Sequence, residues 1–435
     1  MRHLFSQLRA ALKKIQPRTQ QAMLNTAWLL VERITKIFSE LIVVLILARY
    51  LGPNQFGLLS YVTALIGLGS VFAKLGLDDI AVRFLVEDDD QHNSVLATCF
   101  LLKIVSGALA YVALVAFAHS SQQQEITLLI CILGLTLPIQ GMEVLGFSFK
   151  ASLNSRPLVI SNSISLLIGC VVKVVCVITQ QPLQIFAWCI LLEIIIGFVN
   201  LSFAYYFTNH QTRFISTVSV DQIKHLIYAS FPILISGIAV TAYMRADQIM
   251  IKEMLGSEAL GLYSAASKIS ESWYFVPTII TRSLLPVAVR LKKEDPIAFD
   301  RLFKLLFRYL TFISIIALAL FSFFSGSLIR FLFGSEYIAS GNVLVAHSFG
   351  GIFVCMGLGL SLWAVVEGKT GKMMINTGVG AIINITLNFF FIKEFGILGA
   401  AISTVIARAF AGVFLNYFIR ELQPVFRIQL KALGR

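Results

Sequence analysis

The feature that most constrains this chain is a succession of apolar runs, each about twenty residues long, between residues 24 and 419. About 20 apolar residues is the length that an α-helix needs to cross the hydrocarbon core of a bilayer. Because lipid offers no hydrogen-bond partners to the backbone, the helix is the natural form for such runs. Hydrophobic residues make up 57% of the sequence and charged residues 13%, a balance that excludes a soluble globular protein.

The runs predict an all-α, polytopic membrane protein of about twelve transmembrane helices. The predicted spans are 24–48, 55–77, 95–117, 126–148, 158–178, 184–206, 226–251, 259–289, 305–325, 341–365, 372–391 and 397–419.

The Lys and Arg residues outside the runs fall mostly in alternate connections, beginning with the segment before the first run. Because basic connections stay in the cytoplasm, this pattern predicts that both termini are cytoplasmic. The same connections account for much of the net charge of +12, so the charge does not call for a nucleic-acid partner. Residues 1–23 form a basic segment that the sequence predicts either as an amphipathic helix on the membrane surface or as a disordered tail.

The sequence also carries a weak internal repeat. Residues 47–65 and 251–269 both join a first and a second span, and they share five identities at a constant offset of 204. The identical residues are Leu51, Gly52, Gly57, Leu58 and Ser60, which recur as Leu255, Gly256, Gly261, Leu262 and Ser264. Because each half has six spans, both halves start from the same side of the membrane, as in transporters built from parallel repeats around a central cavity.

The repeat predicts two six-helix lobes joined by a polar linker. The predicted divisions are a basic N-terminal segment at 1–23, an N-lobe at 24–207, a cytoplasmic linker at 208–224, a C-lobe at 225–420 and a cytoplasmic tail at 421–435.

Charged residues within the predicted spans are the candidates for function. Each charge at the bilayer centre costs roughly 2.5–3.5 kcal/mol, so most of them must line a wet cavity, pair with one another or reach an interface. Lys74, Lys173 and Arg282 are predicted to reach a membrane interface with their long side chains. The cations predicted to line a lumen that binds an anionic headgroup are Arg33, Lys36, Lys103, Arg245, Lys268 and Arg408.

Several common catalytic motifs do not occur in the sequence. It contains no phosphate-binding G-x-x-x-x-G-K-[ST] loop, no G-x-S-x-G elbow and no H-E-x-x-H helix. We therefore predict no catalytic residue, no metal ligand and no cofactor. The short connections on the predicted outer side also leave little room for the site of a membrane enzyme that acts on sugars.

Four segments resemble one family of membrane transporters. Residues 25–65, 74–86, 244–277 and 395–408 are similar to the O-antigen and polysaccharide flippases of the multidrug/oligosaccharidyl-lipid/polysaccharide exporter superfamily. The most specific part is A-R-Y-L-G-P-x-x-F-G at 48–57. The resemblance spans most of the chain and agrees with twelve helices in two lobes.

The resemblance implies that the chain flips undecaprenyl-diphosphate-linked oligosaccharide repeat units across a bacterial inner membrane by alternating access, coupled to an ion gradient. A polysaccharide polymerase and a chain-length regulator are candidate partners. The acids that the resemblance implies for charge balance or ion coupling are Glu32, Glu40, Asp247 and Glu271.

Two alternatives stay open from the sequence. An exporter of a lipid-linked peptidoglycan precursor or of drugs would share the fold, although an organic-cation exporter would be expected to have an acid-rich cavity. A membrane polymerase or ligase acting on the same sugars would need a substantial outer domain.

Overall fold

A computed structural model describes residues 17–87, 92–120, 122–208 and 218–433 of the chain. Within these ranges the chain is helical and has no β-strand, so the predicted all-α class is confirmed. Residues 1–16 of the predicted N-terminal segment and 209–217 of the predicted linker lie outside the described residues.

In the described ranges sixteen α-helices follow one another, with short 3₁₀ turns and one π-helical turn between some of them. In chain order they are α1 Pro17–Lys74, α2 Leu77–Glu87, α3 His92–Ser120, α4 Gln124–Gly134, α5 Thr136–Ile139, α6 Val144–Ala151, α7 Arg156–Ile178, α8 Leu183–Thr208, α9 Val220–Leu255, α10 Ser257–Ser272, α11 Phe275–Glu294, α12 Pro296–Phe333, α13 Ser340–Glu367, α14 Thr370–Ala409, α15 Leu415–Phe418 and α16 Gln423–Leu433.

Ten helical stretches of the described residues are long and apolar enough to cross a membrane. Two of them, Val31–Glu87 and Thr370–Phe418, contain 57 and 49 residues, more than twice what a bilayer needs. Gly52 interrupts the first with φ at 70° and Gly396 interrupts the second with φ at 60°, a conformation that glycine adopts without steric cost. The first stretch turns again at Gly76, between α1 and α2. Dividing the two stretches at Gly52 and Gly396 gives twelve segments, but how many cross the membrane stays a prediction.

The chain forms two compact units. The first contains the described parts of residues 1–43 together with 69–234, and the second contains residues 44–68 together with 235–435. The middle of α1 is therefore grouped with the second unit. The lobe limits expected from the sequence stay a prediction.

The first unit has an apolar core between α2, α3, α6 and α8. Leu77, Leu96 and Val144 are fully buried in it, and Leu145 and Leu201 are nearly so. These helices are apolar on most sides. The faces that pack best against neighbouring helices are buried, and the other faces carry large exposed hydrophobic side chains.

The second unit brings the two copies of the repeat together. A Cβ atom on Gly57 would lie 1.8 Å from the carbonyl oxygen of Ser257, and one on Gly261 would lie 1.9 Å from that of Pro53. Residues 53 and 57 correspond to 257 and 261 in the repeat, so the contact is symmetric. The recurring glycines thus allow two backbones to approach closely, which a side chain would prevent.

The predicted tail includes a packed helix. Val425 and Ile428 of α16 lie in the core of the second unit with Phe303 of α12. The buried amide of Gln429 donates a hydrogen bond to the carbonyl oxygen of Gly412, in the π-helical turn, at 3.0 Å. Residues 423–433 are therefore part of the fold.

Candidate functional site: a charged cluster in the second unit

The centre of the candidate site is an ion pair between α14 and α10. Arg408 Nη2 donates to Glu271 Oε1 at 2.7 Å, and Arg408 Nη1 donates to the hydroxyl oxygen of Tyr274 at 3.0 Å. The Arg408 side chain is 13% exposed and that of Glu271 is 38% exposed. A pair in this setting has lost part of its hydration, so each charge depends on its partner.

A histidine that is almost fully buried lies beside this pair. His347 Nδ1 and Ser270 Oγ are 2.5 Å apart, and His347 Nε2 lies 3.9 Å from Glu271 Oε1. The guanidinium and the imidazole thus both lie near Glu271 Oε1. Only the guanidinium is within hydrogen-bond distance of it, so Arg408 is the direct partner of the carboxylate.

A second polar group continues from α9 to α14. The hydroxyl of Tyr263 donates to Asp247 Oδ2, and the Tyr263 side chain also interacts with Thr404. Asn384 Nδ2 donates to Thr404 Oγ1 at 3.3 Å, and Asn388 Nδ2 donates to Asn384 Oδ1 at 3.1 Å. All five side chains are buried. The network therefore joins a buried carboxylate to two buried amides.

One acceptor of this network has no partner among the described residues. Asn388 Oδ1 is buried and makes no hydrogen bond to them, whereas Asp247 Oδ1 accepts from the backbone N–H of Gln248 at 2.8 Å. A buried acceptor without a donor costs roughly 1–3 kcal/mol and calls for an explanation, such as a bound ion or water.

Local sequence explains how the guanidinium fits. A Cβ atom on Gly350 of α13 would lie 3.1 Å from Arg408 Nη1, and one on Gly351 would lie 2.8 Å from the ring of Trp273. The adjacent glycines leave room for the Arg408 side chain and for the aromatic residues that precede α11.

The other two predicted cations of the second unit lie at the edges of these networks. Arg245 is half-buried, and its Nη1 donates to Gln248 Oε1 at 3.3 Å. Lys268 is exposed, one turn before Glu271 on α10. Of the predicted site residues, this unit therefore brings Arg408 and Glu271 into direct contact, places Asp247 in the adjoining network, and keeps Lys268 accessible.

The predicted charged face of α1 lies in the first unit. Arg33, Lys36 and Glu40 are exposed, and Lys36 Nζ lies 3.7 Å from Glu40 Oε1. Glu32 is half-buried and accepts a hydrogen bond from Asn162 Nδ2 of α7 at 2.5 Å. Three of the four side chains are thus accessible, as ligand-binding side chains must be.

Lys103 is placed differently from the other predicted cations. Its side chain is 0% exposed, and its ammonium lies 2.5 Å from Asp78 Oδ1 and 3.5 Å from Glu143 Oε2. Lys74 also pairs with Glu143, at 3.6 Å. The Lys103 charge is therefore held by carboxylates of its own unit. Its predicted role in substrate binding stays a prediction.

The sequence interpretation missed the uncharged members of the site. Tyr263, His347 and Thr404 carry no formal charge at neutral pH and lie among apolar residues, so a search for charges passes over them. Asn384 and Asn388 give a usable signal, because two amides four residues apart share one face of an apolar helix. In the described part of the chain, no group of three His, Cys, Asp or Glu side chains could hold a metal ion.

Comparison with known proteins places the chain among polysaccharide biosynthesis proteins. It is 20% identical over 404 residues to the capsular polysaccharide biosynthesis protein CapF of Staphylococcus aureus, covering 92% of this chain and 99% of that protein. It is 23% identical over 407 residues to a Shigella flexneri protein named "Putative O-antigen transporter", covering 87% and 93%.

The fold also matches a solved transporter structure. The inward closed conformation of the lipid II flippase MurJ aligns with a TM-score of 0.68 at 16% sequence identity, covering 94% of this chain and 91% of that one. At this identity the likeness establishes the fold. The sequence profile of the family described as "Polysaccharide biosynthesis protein" matches residues 46–342, and the chain therefore belongs to that family.

Proposed function

We propose that this protein flips undecaprenyl-diphosphate-linked oligosaccharide repeat units from the cytoplasmic to the periplasmic leaflet of a bacterial inner membrane. The family, the O-antigen transporter among its relatives and the MurJ-like fold support a transporter of lipid-linked sugars. The proposal includes cytoplasmic termini and a polysaccharide polymerase and chain-length regulator as partners downstream.

The observation that carries the proposal is the Arg408–Glu271 pair inside apolar helices. The Arg408 guanidinium can exchange the accessible Glu271 carboxylate for a diphosphate. A diphosphate offers the guanidinium the same bidentate geometry as a carboxylate. Binding substrate would then release Glu271 to the cation Lys268, one turn away on the same helix. Such an exchange lets one charged site alternate between loaded and empty states without leaving a buried charge unpaired.

The network around Asp247 supports ion coupling as part of the proposal. Asp247, Thr404 and Asn388 provide carboxylate, hydroxyl and amide oxygens, the donor types preferred by hard cations. A buried carboxylate can equally accept a proton. We assign the coupling ion to this network and the substrate headgroup to the Arg408 pair.

Two related functions remain as alternatives. A flippase for a lipid-linked peptidoglycan precursor would use the same diphosphate-binding geometry, and the chain shares its fold with the lipid II flippase MurJ. A drug exporter for organic cations is less favoured, because Arg408 would repel the ligand. Neither a polymerase nor a ligase is supported by any group of the described site.

Complementation of a deletion strain tests the proposal. We expect wild type to restore surface polysaccharide, and Arg408→Met to leave repeat units on the inner leaflet. The matched control is Arg290→Met, whose guanidinium pairs with Glu294 at an exposed helix end. Completed translocation without chain extension in the deletion strain would instead identify a polymerase, and accumulation of a peptidoglycan precursor would identify the second flippase.

Proteoliposomes test the coupling. We expect an imposed gradient of the coupling ion, whether a proton or Na⁺, to stimulate translocation by wild type. Asp247→Asn keeps the shape of the side chain but removes its charge, and we expect it to abolish that stimulation while basal translocation continues. Stimulation that survives in Asp247→Asn would place coupling elsewhere.

A further inference from the structure

The first unit contains an open apolar cavity of about 810 Å³ between α3, the region that follows α4, and α8. Its walls are aliphatic and aromatic, and Ser202 and Tyr206 supply the hydroxyl groups. The Ser202 hydroxyl donates to the carbonyl oxygen of Phe198 in its own helix at 2.8 Å, so it is not free for a ligand. The groove therefore suits a hydrocarbon.

An irregular helix forms one wall. The chain passes from α4 through the single turn α5, which contains Pro138, into a 3₁₀ turn at Gln140–Glu143. Proline removes a helical hydrogen bond, and the 3₁₀ turn is narrower than an α-helix. A Cβ atom on Gly107 would lie 2.5 Å from the carbonyl oxygen of Leu137, so this thin wall packs tightly on α3 and leaves space toward α8.

The groove is about one leaflet deep. Its lining residues on α8 extend from Ile195 to Tyr206, which at 1.5 Å per residue is about 16 Å. Half of the hydrocarbon core is about 15 Å. Tyr206 lies two residues before the end of α8, on the side predicted to be cytoplasmic, where tyrosine is common at the membrane surface.

A cation lies near this end. The Phe149 ring packs edge-on against Tyr205 at 6.2 Å between centroids, and the next residue, Lys150, is exposed. The Lys150 ammonium lies 5.6 Å from the centroid of the Phe147 ring. An apolar trough with a lysine near its surface end is complementary to a lipid whose headgroup is anionic.

We propose that this groove binds the polyprenyl chain of the lipid-linked substrate in the cytoplasmic leaflet, with Lys150 near its diphosphate. The inference rests on the proposed function and adds a site for the tail. A methyl-branched chain fills such a groove, and its double bonds can pack on Phe100, Phe198 and Phe203.

Two tryptophan substitutions on α8 test the groove. Val199 lines it and is 46% exposed, whereas Leu192 lies outside it and is 49% exposed. Val199→Trp fills the groove, and Leu192→Trp is the matched control on the same helix. Losing contact with two methylene groups lowers affinity about tenfold. We therefore expect Val199→Trp to bind the polyprenyl chain at least tenfold more weakly.

The first readout is photolabelling in proteoliposomes by a long-chain polyprenyl diphosphate that carries a diazirine on its tail. We expect labelled peptides from residues 195–206 in wild type and in Leu192→Trp, with about tenfold less label in Val199→Trp. Excess unlabelled polyprenyl diphosphate should displace the label, and excess phosphatidylglycerol should not. Equal displacement by phosphatidylglycerol would mean a groove for bulk bilayer lipid and would overturn the proposal.

The second readout is translocation of sugar substrates on long and short polyprenyl chains. We expect Val199→Trp to slow the long-chain substrate about tenfold and the short-chain substrate, which fills less of the groove, to a smaller extent. Leu192→Trp should translocate both at the wild-type rate, and unfolding in detergent at the wild-type midpoint shows that both variants are folded. Equal rates for the two tryptophan variants on the long-chain substrate would contradict the tail site. If wild type translocates neither substrate, the proposed function is wrong. Photolabelling then still shows whether the groove binds a polyprenyl chain.

Discussion

Lys103 in the first unit and Arg408 in the second are both cations inside apolar helices, yet their surroundings differ. Lys103 is enclosed, with carboxylates from two other helical segments at its ammonium and an aromatic ring 4.7 Å away. Arg408 keeps partial exposure, and its carboxylate partner Glu271 is more exposed still.

The difference separates a charge that holds helices together from one that can change partner. An enclosed cation with two acceptors gains nothing from a ligand, because no ligand can reach it without breaking the packing. A partly exposed pair surrounded by Tyr274 and His347 has other hydrogen-bond partners within reach. We therefore interpret Lys103 as structural and Arg408 as functional, a distinction that the following variants test.

The largest expected effect is on stability in the first unit. Lys103→Met leaves Asp78 without its cation and Glu143 with Lys74 alone. Because both carboxylates are about a third exposed, we expect the low end of the cost of breaking a buried pair, about 3 kcal/mol. Chemical unfolding in detergent micelles measures this cost. Neutralising the partners as well, in Lys103→Met/Asp78→Asn/Glu143→Gln, should recover both stability and translocation. Persistent loss of translocation in the stable triple variant would assign Lys103 a role in transport.

In the second unit, we expect removal of both charges to preserve stability but to impair translocation. Arg408→Met/Glu271→Gln removes both charges, so we expect most of the stability to remain. Translocation should fall by about a hundredfold, which corresponds to about 2.7 kcal/mol and is typical of a lost hydrogen bond to a charged group. Proteoliposome translocation, normalised to folded protein, measures this. If the double variant translocates at a near-normal rate, the Arg408–Glu271 pair is structural, as we interpret the Lys103 pairs to be.

A steric change sharpens the comparison without altering charge. Gly261→Ala would press a methyl group against the backbone of Pro53 and displace α10, which carries Tyr263 and Glu271. We expect a loss of about 1–3 kcal/mol in stability together with slower translocation. Gly378→Ala is the control, because its Cβ would meet no atom within 4 Å. Equal behaviour of the two variants would show that the glycine contact is unimportant.

The smallest expected effect on stability is at the exposed face of α1. Lys36 and Glu40 form a pair with side chains 55% and 56% exposed, so Lys36→Ala should change stability by less than about 1 kcal/mol. If this face binds substrate, translocation should still fall several-fold. Arg83→Ala breaks a similar exposed i,i+4 pair with Glu87 and should leave translocation unchanged. If Lys36→Ala and Arg83→Ala translocate substrate at the same rate, Lys36 is not part of the substrate site.

Much of the architecture could be predicted from the sequence. The apolar runs predicted helical stretches at the right places, because a bilayer sets the length of each run, although their bounds differ from the structure by up to about nine residues. The predicted spans 126–148 and 259–289 are each divided into shorter helices. The repeated glycines at 57 and 261 pointed to a duplication, and the structure supplies their physical role as points of backbone contact. The two interrupted helices have glycine where φ is positive, at Gly52 and Gly396.

The candidate site could be predicted only in part. Arg408 and Lys103 met the same criterion, a cation within an apolar run, and nothing local distinguished them. Their partners are distant in sequence, with Glu271 separated from Arg408 by 137 residues and Glu143 from Lys103 by 40. The groove on α8 likewise depends on a helix break more than fifty residues earlier in the chain.

The sequence by itself determined that this protein is an all-α membrane protein with a duplicated glycine motif and charged residues within its apolar runs. These properties follow from local hydrophobicity and local conformational preference, which each segment carries alone. The tertiary structure decided which charges are enclosed, which remain accessible and where an apolar groove opens. Those outcomes depend on side chains meeting across helices, because the cost of a buried charge depends on the partner that packing places beside it.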